Sequence, residues 1–254
     1  MRIVFLGTGT SQGVPIIACL CAVCNSTDTK DKRLRSSILI ESNDTTVVID
    51  SGPDFRQQML TNRVKKLSGL LFTHEHKDHI AGMDDIRAFN YVNQCKVDVY
   101  ATKQVEDSLR REFPYVFEDL KYPGVPEINL HRIEDRPFAV GDLDFIPMPV
   151  MHYRLPVTAF RVGGFSYVTD ANHIPEKTFE LMHGSDVLVI NALRHEKHVS
   201  HFNLEEALQI IDRVNPSKAF LTHISHQLGK CVDVDALLPP HVRCAYDGLE
   251  IFVD

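Results

Sequence analysis

Short apolar runs closed by polar turns recur along the chain, and stretches of helical periodicity lie between them. Ile3–Leu6, Ser37–Glu41 and Thr46–Asp50 read as strands, the last two joined by a turn at Asn43-Asp44. Pro53–Asn62 predicts a helix opened by Pro53, a position where proline is tolerated. Gly69–Thr73 is a buried strand. Met83–Val92, Lys103–Glu112, Pro175–Met182 and the amphipathic Leu204–Arg213, with Asn203 as its cap, predict helices. Further strands are expected over Phe138–Pro147, Ala159–Val162, Ser166–Val168, Asp186–Ile190, Lys218–Thr222 and Leu249–Val253. Strands alternating with helices, together with hairpins, predict an α/β (α+β) chain with two sheets flanked by helices. No repeat or low-complexity linker interrupts it, so a single domain over 1–254 is expected.

Composition narrows the class. With 254 residues and 44% hydrophobic content, the chain can fill a sizeable core. It contains no apolar run long enough to span a bilayer, and its first apolar stretch is too short for a signal peptide. A cytoplasmic protein without a membrane partner is expected. The formal net charge of −7, with no basic run, argues against extended nucleic-acid contact.

The chemistry concentrates after the strand ending at Thr73. Residues 74–79 read His-Glu-His-Lys-Asp-His, placing three imidazoles and a carboxylate together. These are ligands for borderline metals such as zinc, manganese and iron. Three further donors stand where a strand gives way to a loop: His152, Asp170 and His223. Taken singly, each would ordinarily be a turn or cap residue. A second cluster is Cys19-Leu-Cys21-Ala-Val-Cys24. Three thiolates need a fourth ligand to close a structural zinc site, and His226 is the candidate; a reactive thiol cluster or an iron–sulfur ligand set are the alternatives.

The hexapeptide resembles the HxHxDH signature of the metallo-β-lactamase superfamily. The resemblance implies a four-layer αββα sandwich of two mixed sheets. It assigns His74 and His76 to one catalytic metal and Asp78 and His79 to a second, with His152, His223 and a bridging Asp170 as the three further ligands. Asp50 would orient a ligating histidine through a hydrogen bond. The glycine-rich start, the CxCxxC cluster and the late Thr222-His-Ile-Ser-His226-Gln are similar to the PhnP-like phosphodiesterases. That likeness implies a structural zinc on Cys19, Cys21, Cys24 and His226, beside two active-site ions, zinc or manganese. Asp78 and His201 would act in catalysis, His201 near the scissile phosphate as the proton donor. The expected reaction is direct attack of water on a small or cyclic phosphodiester, such as a ribosyl 1,2-cyclic phosphate. A homodimer is implied by the same resemblance.

Other readings share much of this ligand set: an RNase Z-type RNA 3′-processing nuclease, a thioester or lactone hydrolase, a β-lactamase, and a metal-bearing scaffold without catalysis. Gly7–Gly13 reads as a tight turn rather than a dinucleotide fingerprint, because no helix follows it. His195 and His198 read as solvated loop residues. Arg33, Arg35 and Arg56 read as solvated side chains before phosphate ligands. The aromatic, proline-rich segment 113–126 reads as an ordered loop packed on the core.

Overall fold

The computed structural model describes residues 1–119 and 122–253. In chain order the strands are β1 (Arg2–Gly7), β2 (Ser37–Ser42), β3 (Thr45–Ile49), β4 (Gly69–Leu71), β5 (Val97–Ala101), β6 (Ile128–Arg132) and β7 (Phe138–Val140). Then follow β8 (Leu143–His152), β9 (Leu155–Val162), β10 (Phe165–Val168), β11 (Val187–Asn191), β12 (Lys218–Thr222), β13 (Val242–Cys244) and β14 (Glu250–Phe252). The helices are α1 (Phe55–Thr61), α2 (Lys77–Ile80), α3 (Arg87–Asn93), α4 (Lys103–Glu112), α5 (Pro114–Phe117), α6 (Glu176–Met182), α7 (Leu204–Val214) and α8 (Cys231–Asp235).

Among the described residues the strands form two seven-stranded sheets, ordered β14-β1-β2-β3-β4-β5-β6 and β13-β12-β11-β10-β9-β8-β7. Alternation within single strands explains the layering. In β1, Ile3 and Phe5 enter the core between the sheets, where Phe160, Tyr167 and Phe220 also lie. Val4 and Leu6 point the other way, into a core shared with Phe55, Met83, Val105 and Leu109 of the helical layer. β11 repeats the device: Val187 and Val189 face the first sheet, while Leu188 and Ile190 pack with Ala207, Ile210 and Ile211 of α7. Strands covered on both faces have no solvent side, so their sequences are nearly continuous apolar runs. The result is the expected αββα sandwich.

Strand direction gathers the site at one edge. β3, β4 and β5 are mutually parallel, as are β10, β11 and β12. β8 pairs antiparallel with β9, and β9 with β10, so β8 runs in the direction of β10. Asp50, His74, His152, Asp170 and His223 therefore all sit at or just beyond the carboxyl ends of like-directed strands. Open α/β sheets collect ligands at that edge.

Several elements depart from the expected boundaries. The run 138–147 is a hairpin, β7 and β8, and β8 continues through Pro147 and Pro149 to His152. β7 pairs only as far as Phe145, and the next bridge on that side is Met151 to His173, so Pro147 and Pro149 lie on an open stretch where a missing N–H does no harm. The helix expected over 83–92 is a 3-10 turn, Met83–Ile86, followed by α3. β5, β6, β13, α5 and α8 were not anticipated. Arg33 is not solvated: it is buried, and its Nη1 donates to Thr8 Oγ1 and the Ala245 carbonyl. Arg35 is paired with Asp54 at 3.0 Å. Within segment 113–126, Phe113 and Val116 are buried in the core, whereas residues 120 and 121 lie outside the described residues. No helix among the described residues is long and apolar enough to cross a membrane.

Candidate metal centre

Backbone geometry at the strand ends is unusual. Asp50, Asp170 and His223 have φ of 66°, 51° and 52°, a left-handed conformation that few non-glycine residues adopt. Such positions concentrate at functional sites, held by their surroundings. Here the surroundings are visible. Asn191, fully buried at the end of β11, accepts from the Ala171 N–H at 2.8 Å and donates to the Ala171 carbonyl at 3.0 Å, fixing the turn after Asp170. Gly52 lets the chain after Asp50 pass the metal motif, since a Cβ there would lie 2.0 Å from the Asp78 carbonyl oxygen.

Hydrogen bonds around the rings fix four tautomers. Asp50 accepts from the Thr73 N–H at 2.9 Å and from Thr73 Oγ1 at 2.8 Å, and its Oδ2 lies 2.7 Å from His79 Nδ1. A carboxylate only accepts, so His79 carries its proton on Nδ1. Having given its proton to Asp50, Thr73 Oγ1 accepts from His74 Nδ1 at 3.0 Å. Ser36 Oγ donates to the Gly9 carbonyl at 2.9 Å and so accepts from His223 Nδ1 at 3.2 Å. His152 Nδ1 donates to the Ser200 carbonyl at 2.7 Å. In each ring Nε2 is left as a lone pair.

Two of those lone pairs, on His79 and His223, face carboxylate oxygens, which are also acceptors. His79 Nε2 lies 3.1 Å from Asp170 Oδ2 and 3.3 Å from Asp78 Oδ2, buried and without a hydrogen-bond partner. His223 Nε2 lies 3.0 Å from Asp170 Oδ1. His74 Nε2 lies 3.0 Å from His76 Nδ1, and the His76 and His152 rings are 5.1 Å apart. Acceptors packed this closely need positive charge between them. The His79 ring shows the same demand: burial opposes its protonation, yet Asp170, Asp78 and Asp50 outweigh burial and raise its pKa well above the usual value. A divalent cation meets the requirement, and the nitrogen and oxygen donors suit zinc or manganese.

Asp170 belongs to two donor groups at once. One is Asp78, His79, Asp170 and His223; the other is His152, Asp170 and His201, with His74 and His76 alongside. His201 approaches Asp170 Oδ1 at 3.1 Å, the same oxygen that faces His223, and so stands within ligand reach as well as beside the expected reaction centre. His198 is half-buried against His201, with Nδ1 atoms 3.1 Å apart, and is not simply solvated. His195 is exposed but hydrogen-bonds the Leu228 carbonyl at 2.8 Å. Ser36 and Asn191 had no sequence signal beyond a polar residue beside an apolar run.

Asp50→Asn tests the tautomer argument. The amide would present N–H toward His79 Nδ1 and turn the Nε2 proton into the ligand cluster. A roughly 10- to 100-fold loss of metal affinity is expected, measured by chelator competition. Unchanged affinity would refute this role for Asp50.

The second cluster is equally compact. Cys19, Cys21 and Cys24 Sγ lie 3.4, 3.3 and 3.7 Å from one atom, His226 Nδ1. Tetrahedral zinc with ordinary bond lengths would separate sulfur from nitrogen by about 3.5 Å. The donor set fits a structural metal ion.

Fold and site together define a chain built on a metal-centre sandwich. The family described as a beta-lactamase superfamily domain matches residues 45–224, and the chain belongs to that family. It is 34% identical to a diphosphatase from the PhnP family, with a TM-score of 0.93, covering 100% of this chain and 98% of that one. Zn(2+)-bound PqqB from Methylobacterium extorquens shares the fold, at TM-score 0.78 and 18% identity, covering 100% of both chains. A protein named octanoyltransferase from Porphyromonas gingivalis is 40% identical over 257 residues, which is 100% of this chain and 52% of that protein. The chain spans about half the length of the curated relatives it matches.

Proposed function

We propose that the chain is a metallohydrolase that cleaves small phosphodiesters, cyclic ribose phosphates among them, by direct attack of water. The observation that carries this reading is Asp170, shared by the two donor groups at one strand edge. Its support is the 34% identity to a PhnP-family diphosphatase, an enzyme that also acts on a phosphoryl centre. Two divalent ions bound to these donors would lower the pKa of a water and offset phosphoryl charge.

The remaining work falls to the protein. Asp50, Thr73, Ser36 and the Ser200 carbonyl hold the ligand rings in one orientation. His201 offers Nε2 at the edge of the cluster, its Nδ1 braced by Ser200 Oγ at 3.1 Å, and would give its proton to the leaving oxygen. The proposed donor cluster contains no serine or cysteine, so a covalent intermediate is not required.

The test is release of nitrophenolate from bis(p-nitrophenyl) phosphate by protein loaded with manganese or zinc. Turnover dependent on added metal supports the reading. No turnover with two ions bound at the site would refute it. A second reading is hydrolysis of an acyl thioester; the protein named octanoyltransferase, 40% identical and covered over 52% of its length, makes octanoyl the acyl group to test. Octanoyl thioester cleavage in a parallel assay, without diester cleavage, would select it.

A further inference from the structure

Beside the His76 and His152 rings opens a cavity of about 430 Å³, lined also by Tyr153, Arg154, Leu155, Val199 and Ser200. Tyr153 and Arg154 form the two-residue turn between β8 and β9. Tyr153 has a φ of 57°, at a hairpin position where glycine is the ordinary choice. A bulky aromatic residue there is a backbone outlier that the surrounding structure must hold. Asn172 does so: its Oδ1 accepts from the Tyr153 N–H at 2.7 Å and its Nδ2 donates to the Val199 carbonyl at 2.9 Å, tying the turn to the opposite rim. The phenol ring contributes nothing to the core, because Tyr153 remains 53% exposed. The Arg154 guanidinium lies 5.2 Å from the ring centroid. A strained turn thus presents an aromatic face and a cation at the mouth of the metal centre.

We propose that Tyr153 and Arg154 are a subsite for the half of the substrate that keeps the phosphate, with Tyr153 stacking a nucleobase and Arg154 meeting its anionic portion. The inference rests on the phosphodiesterase reading and names its substrate class, nucleoside phosphodiesters. Aromatic rings stack on any base face, and arginine adds attraction for both ring and phosphate.

Two esters with the same leaving group separate the possibilities: thymidine 5′-(p-nitrophenyl phosphate) and methyl p-nitrophenyl phosphate. With metal-loaded wild type, kcat/KM for the thymidine ester should exceed that for the methyl ester by about 5- to 100-fold. In Tyr153→Gly the ratio should fall to within roughly twofold, chiefly through KM, while Tm rises by about 2–4 °C as the turn relaxes. Equal kcat/KM for the two esters in wild type, or an unchanged ratio in Tyr153→Gly, would overturn the subsite and leave the phosphodiesterase reading standing. Failure of the wild type on both esters would overturn the phosphodiesterase reading, and the subsite with it.

Discussion

Asp170→Asn should lower hydrolysis of bis(p-nitrophenyl) phosphate by about 1,000-fold or more and reduce active-site metal from two equivalents to one or fewer. The side chain is 2% exposed, and three imidazoles crowd it: His79 on Oδ2, His223 and His201 on Oδ1. Asparagine keeps the shape, removes the charge and turns an N–H toward rings that offer lone pairs. The substitution therefore removes the one carboxylate common to both donor groups, the proposed bridge between two ions. Metal analysis after desalting, with kinetics on the same sample, checks both halves. Two active-site ions retained with activity within tenfold of wild type would show that Asp170 is not a shared ligand. The zinc expected on Cys19, Cys21, Cys24 and His226 should remain in the variant, so its content serves as an internal measure of folding.

Much of this arrangement was legible because metal chemistry restricts residue type. Imidazole and carboxylate at 74–79 cannot be replaced by unlike groups, and a strand-end donor such as Asp170 or His223 stands out against the apolar run before it. Buried parallel strands write themselves as continuous apolar segments, which is why β3, β11 and β12 were found close to their observed limits. Exposed strands lack that mark. β6, Ile-Asn-Leu-His-Arg, is half polar and lies at the edge of its sheet, so no run announced it. Pro147 and Pro149 concealed the length of β8, because proline reads as a strand end unless the strand is known to be an edge.

The supporting residues were harder to see for a different reason. Ser36 and Thr73 act through one hydroxyl each, and Asn191 through an amide that pins a neighbouring backbone. Such residues are common in turns, and only the fold shows which ring or carbonyl they meet. Asp50 was legible only through the resemblance to the metallo-β-lactamase superfamily, since a strand-end aspartate is as often a turn residue; in the structure its partner is His79. The strain at Tyr153 has no sequence signature at all, since φ is a property of the turn rather than of the residue.

The second large effect is expected at the cysteine cluster. Cys21→Ser should abolish zinc binding by the proposed Cys3His site and lower Tm by about 6–12 °C, roughly 3 kcal/mol, measured by metal analysis and thermal melting. The loop that carries Cys19, Cys21 and Cys24 leaves two large apolar side chains out of the core: Ile17 is 95% exposed and Leu20 is 86% exposed. Its sulfurs instead converge on His226, and the Cys24 N–H pointing at the Cys21 sulfur, with His226 beside it, draws that thiol down to about 6. A thiolate is thus available at neutral pH without large cost. His226 lies three residues beyond His223, and the segment between them is pinned by Ile224 N–H to the Thr8 carbonyl at 2.9 Å. Losing the ion should loosen that segment, so activity should fall as well, by way of His223. His226→Cys keeps a ligand at the same place and should restore zinc and most of the lost stability, whereas His226→Ala should not. Full stability in Cys21→Ser, with zinc lost, would mean that the loop is held by packing alone and that the two metal centres are independent.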